Sequence, residues 1–327
     1  MYSFKELQKI IGQEIKFRLS DLNERKPSQL YVPVQYSLEM GGKRIRPVLL
    51  LMSFNMFKEE ISSALPAAVA MEVFHNFTLL HDDIMDKSAL RRNKPTVHMK
   101  FGANNAILSG DAMAFLSYQY LLECNSGRIS DVIELFTGTA LEICEGQQFD
   151  MDFENRRKVS EAEYLEMIRL KTAVLLGCSL KAGALLADAD PVIAENLYSL
   201  GINLGLAFQL QDDFLDTFGN QQIFGKKIGG DILADKKTYL LIKALESAGD
   251  EDKSSLEKWL TKSSFDADEK IKAVTGIYNK LDIKQITINK INLYFKNTEK
   301  ILDDLTLNEN KKNYLRELCY KMQNREY

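Results

Sequence analysis

The chain reads as an all-α protein, one large helical bundle over residues 1–327, and three observations predict it. Apolar residues recur at three- and four-residue steps nearly throughout, the period of an amphipathic helix. Only six prolines serve 327 residues, and none follows Pro191. Alternating polar and apolar runs flanked by Asn-Gly or Asp-Gly, the mark of strands, are absent.

Phe4, Leu7, Ile10, Ile11, Ile15, Leu19 and Leu22 set the first helix. Pro47 and Pro66 precede long apolar runs, where proline in a first helical turn costs little. The stretches Leu65 to Met85, Asn105 to Leu122 and Asp131 to Gln148 are apolar on more than one face, which places them inside a bundle. Glycines at Gly41-Gly42 and at Gly225, Gly229 and Gly230 break the pattern. The charged run Glu246 to Lys270 is expected as an exposed helix with loops, a surface excursion rather than a domain boundary.

Composition excludes several classes. The chain is 45% hydrophobic and 27% charged with a net charge of −4, so no basic face is expected for nucleic acid. No apolar run reaches the ~18 residues needed to span a bilayer, so no stable membrane insertion is expected. Cys124, Cys144, Cys178 and Cys319 lack a C-x-x-C spacing, and "MYSFKELQKI" has no secretory character. Reduced thiols in a cytoplasmic protein follow as the expectation.

Chemistry concentrates in two stretches, "LLHDDIMDKSALRRNKPTVH" and "AFQLQDDFLDTFG". Residues four apart on a helix lie about 40° apart with ~6 Å of rise, so Asp82 and Asp86 share a face and Asp83 leans aside. Asp212, Asp213 and Asp216 repeat the arrangement. Clustered carboxylates repel one another. A hard divalent cation that binds through one or two carboxylates plus phosphate oxygens, as Mg²⁺ does, gives a reason to keep them together. Arg91 and Arg92 then supply forked positive partners for a diphosphate. His75 precedes Asp82 by seven residues, on the same face at roughly 10 Å. His81 lies off that face and reads as structural, while His98 is ambiguous.

These residues resemble the trans-isoprenyl diphosphate synthases. "DDIMDKSALRRNKPTVH" is similar to the first aspartate-rich motif of that family and "FQLQDDFLD" to its second. "GGKRIRP", the His75 of "EVFHNFTLLHDD", "GQQFD", "KTAVLL" and "GKKIGGDILADKKT" match its other signatures, in the family's order. The resemblance implies a homodimeric, Mg²⁺-dependent head-to-tail prenyltransferase on the all-α isoprenoid synthase fold, with two or three ions in a central cavity lined by both aspartate motifs. It implies that Asp82 and Asp86 ligate metal with Asp83 in support, and that Asp212, Asp213 and Asp216 hold metal on the other side. Arg91, Lys171, Thr172, Gln209, Lys226 and Lys236 would contact an allylic diphosphate (dimethylallyl, geranyl or farnesyl). Of these, Lys171, Thr172 and Gln209 would be the catalytic residues. Lys43, Arg46, His75 and Arg92 would hold isopentenyl diphosphate.

In the family, bulky residues four and five places before the first aspartate close the product tunnel; here these are Thr78 and Phe77. A single aromatic there resembles enzymes of 15- and 20-carbon products, with geranylgeranyl favoured over farnesyl. Helical geometry puts Phe77 about 140° from Asp82 and lends no support of its own. Asn93 stands where the family often has glycine, and Asn tolerates left-handed angles, so a tight turn survives. The C-terminus, "KMQNREY", lacks a strong basic tail. The alternatives are a non-catalytic partner subunit of a prenyl synthase and a terpene cyclase. The first would be expected to have lost Asp82, Asp86 or Arg91, and the second to have replaced "DDFLD".

Overall fold

The computed structural model describes residues 1–219, 228–262 and 264–324, and these are helical almost throughout. The described residues form two compact units. The first draws on Met1–Thr137, Cys178–Tyr198 and Thr306–Leu315; the second on Gly138–Gly177, Ser199–Leu305 and the chain from Arg316 onward.

In the first unit, α1 (Phe4–Glu24) opens with a capping box between Ser3 and Glu6 and buries Leu7, Ile11, Ile15, Leu19 and Leu22 along one stripe. The sequence predicts this stripe with Phe4 and Ile10 added, and these two are only half-buried. α2 (Ser28–Glu39) and α3 (Ile45–Asn55) follow, then α4 (Leu65–Met85), whose proline sits in the first turn. Every residue of α4 from Ala67 to Phe74 is buried, so it is a central helix rather than a surface one. α5 (Val97–Phe101) leads into α6 (Ala103–Leu121), which packs against α4. Gly110 on α6 makes room for the His81 ring, and a methyl group there would overlap it. The only β pairing among the described residues is a short antiparallel hairpin, Leu90–Arg91 with Lys94–Pro95. Arg92 and Asn93 form its turn with φ of 52° and 60°. Two left-handed residues give the turn type whose twist suits a two-residue hairpin, and Asn93 fills its place as expected.

α7 (Ile129–Glu154), α9 (Val174–Leu186) and α10 (Pro191–Phe218) are long helices shared in sequence by both units. The second unit adds α8 (Glu161–Ile168) and a π-helical turn, Arg169–Ala173. Helices Tyr239–Ser247, Ala267–Lys280 and Ile283–Asp304 bury Leu240, Leu241, Val274, Tyr278 and Ile283 together. The helix Asp250–Thr261 buries Leu256 and little else, in keeping with an exposed excursion. Lys270, at the end of that charged run, breaks the expectation: it is 0% exposed. Among the described residues no helix is long and apolar enough to cross a membrane.

Candidate active site

The first aspartate motif occupies the C-terminal end of α4. The helix closes with two backbone bonds, Ser88 N–H to Asp83 C=O at 2.9 Å and Lys87 N–H to Ile84 C=O at 3.2 Å. With Lys87 at φ 52°, this is a Schellman ending. It stops α4 just past Asp86, the C-cap residue, and turns the chain toward the hairpin. The hairpin then returns Arg91 to the acids. Its Nε donates to Asp83 Oδ2 at 2.7 Å, and its Nη2 lies 3.7 Å from Asp82 Oδ2. The opposite charges that sequence separates by eight or nine residues therefore meet.

Asp83 is 3% exposed, and its second oxygen, Oδ1, is buried with no hydrogen-bond partner. A buried carboxylate oxygen in that state fits a hard cation or its bound water. Among the described residues no three His, Cys, Asp or Glu side chains already converge as a metal-ligand set.

Around this acidic end lies a set of cations. The Arg92 guanidinium donates to the Gly41 carbonyl. Gly42, at φ +133°, lies so close that an added Cβ would come within 2.7 Å of Arg92 Nη2. Arg46 Nη1 lies 3.0 Å from His75 Nε2. Burial first, then the charges of Arg46, Arg92, Arg91 and Arg44, hold His75 well below its ordinary pKa. His75 is thus neutral at neutral pH, and it reports an unusually positive surrounding. Arg44 is spent internally, donating to the buried Glu72 carboxylate and to the Leu38 carbonyl. Lys43 is exposed at the rim, its carbonyl accepting from Gln8. Phe77 packs between Phe74 and His81 at 5.3 and 4.8 Å, and Thr78 donates to the His75 carbonyl at 2.8 Å.

The second motif lies near the end of α10. Its geometry depends on glycines, because an added Cβ on Gly146 would overlap the Lys171 backbone and one on Gly205 would overlap Ala173. These close approaches seat the π turn, where one extra residue in the helical ring re-aims Lys171 and Thr172. Lys171 Nζ pairs with Asp150 Oδ2 at 2.6 Å. Thr172 Oγ1 donates to Gln209 Oε1 at 3.1 Å, and Gln209 Nε2 donates to Asp213 Oδ1 at 3.1 Å. The Tyr164 hydroxyl donates to Asp213 Oδ2. Both oxygens of Asp213 are thus engaged, and its carboxyl is pushed up to about 7 by burial and by Asp231. Tyr164 is pushed well above its ordinary value by burial and the same carboxylate. Asp216 Oδ2 accepts from the Asp231 N–H at 2.9 Å, while Asp212 is half-buried.

Lys171, Thr172, Gln209, Asp213 and Lys236 line one cleft of about 110 Å³, together with Asp150, Tyr164 and Asp231. The last three have no predicted role. Asp150 stood inside a matched motif, whereas Tyr164 carried no signal in the sequence. Lys226 lies outside the described residues.

Comparison with known proteins identifies the family. The pattern of the polyprenyl synthetase family matches residues 27–278. The geranylgeranyl diphosphate synthase of Methanosarcina mazei is 43% identical over 223 residues, 68% of this chain and 69% of that one. The short chain isoprenyl diphosphate synthase of Methanocaldococcus jannaschii is 39% identical, over 84% of this chain and 82% of its own. Among solved structures, a geranylgeranyl pyrophosphate synthase superposes with a TM-score of 0.94 at 42% identity over 100% of both chains. The Corynebacterium glutamicum geranylgeranyl pyrophosphate synthase, solved with isoprenyl diphosphate and magnesium, gives 0.85 at 25% identity over 98% of both. With aspartate motifs, cation cluster and helical architecture all of one kind, the chain belongs to the polyprenyl synthetase family and is a prenyltransferase.

Proposed function

We propose that the chain is one isoprenoid synthase domain that condenses isopentenyl diphosphate head-to-tail with an allylic diphosphate to give geranylgeranyl diphosphate. The observation that carries this reading is the 43% identity to a geranylgeranyl diphosphate synthase, with both aspartate motifs intact.

Asp82, Asp86 and the Oδ1 side of Asp83, and Asp212 with Asp216, are the residues we assign to Mg²⁺. Asp83 holds Arg91 beside them, and Asp213 stands behind Gln209. When bound, the metal supplies positive charge against the leaving diphosphate. By their motifs, Arg91, Lys171, Lys226 and Lys236 are assigned to the allylic diphosphate, as fixed positive charge. Thr172 and Gln209 present neutral dipoles, with the Gln209 amide fixed at both ends by the bonds described above. Neutral dipoles stabilise a carbocation without trapping it. Lys43, Arg46, Arg92 and His75 hold isopentenyl diphosphate, whose double bond attacks the cation; loss of a proton to the departed diphosphate then restores an alkene. Phe77 and Thr78 limit the length of the product.

We also propose a cytoplasmic homodimer. Leu108 and Phe115 on α6 and Leu122 at its C-cap recur every seventh residue and are 58%, 75% and 67% exposed, a row that a second copy would cover.

The test is incubation of the purified chain with Mg²⁺, labelled isopentenyl diphosphate and each allylic primer in turn. A 20-carbon product is expected. Failure to elongate any primer would favour the partner-subunit or cyclase alternative.

A further inference from the structure

Lys270 is 0% exposed, and a lysine is seldom buried so completely without a dedicated partner. It lies on the helix Ala267–Lys280, in the part of the chain read from sequence as a solvated charge run. Its Nζ pairs with Asp235 Oδ1 at 2.7 Å and stands 4.1 Å from the Phe265 ring. Ile232, Leu241, Leu256, Val274 and Tyr278 surround a gap of about 10 Å³ beside it, room for one water at most.

Asp235 sits at a demanding place in the backbone. After the short helix Gly230–Leu233, Lys236 N–H bonds back to Asp231 C=O at 3.0 Å and Asp235 N–H to Ile232 C=O at 3.3 Å. That pair of bonds defines a Schellman ending, and Asp235 occupies its left-handed position at φ 54°. Glycine is the usual residue there, and an aspartate is held in it here by a buried ammonium. The next residue in the motif is Lys236, which lines the cleft with Lys171, Thr172, Gln209 and Asp213. Lys237 closes the loop further by donating to the Asp235 carbonyl at 3.1 Å.

We propose that Lys270 is a positioning residue for prenyl transfer: through Asp235 it locks the turn that aims Lys236 at the allylic diphosphate. The inference rests on the proposed role of Lys236 in binding that substrate. Lys270 touches no substrate itself, so its influence falls on allylic affinity and not on isopentenyl affinity.

The experiment compares Lys270→Met and the double variant Lys270→Met/Asp235→Gly with the parent enzyme and with Lys236→Ala. The double variant removes both charges and leaves at position 235 a residue that permits the left-handed angle without fixing it, so the fold is kept while the clamp on the turn is lost. Melting temperature is recorded alongside KM for each substrate. The expected result is a rise of about tenfold or more in allylic KM for the double variant, with isopentenyl KM unchanged and melting temperature near the parent's. Allylic KM unchanged in the double variant while Lys236→Ala raises it would show the pair to be structural only and overturn the inference. No response to Lys236→Ala would instead remove the role of Lys236, and the inference with it. Equal rises in both KM values would also overturn it, since a general loosening of the enzyme would then suffice.

Discussion

Arg91 Nε lies 2.7 Å from Asp83 Oδ2, so the base that follows the first aspartate motif folds back and clamps its middle acid. Asp83 is almost wholly buried and Arg91 largely so, which makes this pair unlike a surface salt bridge. Removing the arginine leaves an uncompensated carboxylate in the protein interior. Arg91→Met is therefore expected to lower folding stability by about 3 kcal/mol in the absence of ligands, and to abolish most activity as well. Urea denaturation at neutral pH measures the first effect. A loss under half that size would mean that water reaches Asp83.

His75 predicts a pH dependence. Burial and the surrounding arginines keep it neutral in the folded chain, whereas the unfolded chain takes up a proton near the ordinary value of 6.5. Over the window below 6.5 the unfolded state binds more protons, so stability falls as pH falls there and is fully present above it. His75→Asn removes this contribution and flattens the slope of unfolding free energy between pH 5.5 and 7. Parallel slopes for parent and variant would contradict the assignment.

The close approach of Gly42 to Arg92 predicts a substrate-specific defect. Gly42→Ala places a methyl group against the guanidinium at a φ of +133° that alanine adopts with strain. Arg92 must withdraw, and KM for isopentenyl diphosphate should rise by about tenfold while allylic KM changes little. Steady-state kinetics with each substrate varied in turn decide the point.

Phe77 makes ring contacts with Phe74 and His81. Phe77→Ala is expected to cost about 2 kcal/mol, less than a fully buried phenylalanine would, and to shift products beyond 20 carbons. Mass spectrometry of the products reads the second effect; an unaltered length distribution would separate the packing role from any role in chain length.

The sequence made the helices of this protein legible because their period and proline placement are local properties. α4 was expected from Leu65 to Met85 and occupies those residues. The site was legible in its residue types but not in its pairings. In "DKSALRRNK" the tight turn at Asn93 is legible, but neither the second left-handed residue, Arg92, nor the strand pairing that makes it a hairpin is. Tyr164 and Lys270 were missed for related reasons. A tyrosine in an amphipathic helix looks like core until its hydroxyl is seen on Asp213. A lysine in a charged run looks solvated until Phe265 and Asp235 are found around it.

The glycines beside the π turn carry a consequence for any survey of variants. Gly146 and Gly205 bear no functional group, yet the room each leaves vacant fixes where Lys171 and Ala173 can stand. Replacing either with alanine would be registered as catalytic failure in an enzyme whose every charged residue is untouched. For this enzyme, a map of intolerance to substitution would mark empty volume as strongly as it marks reactive side chains.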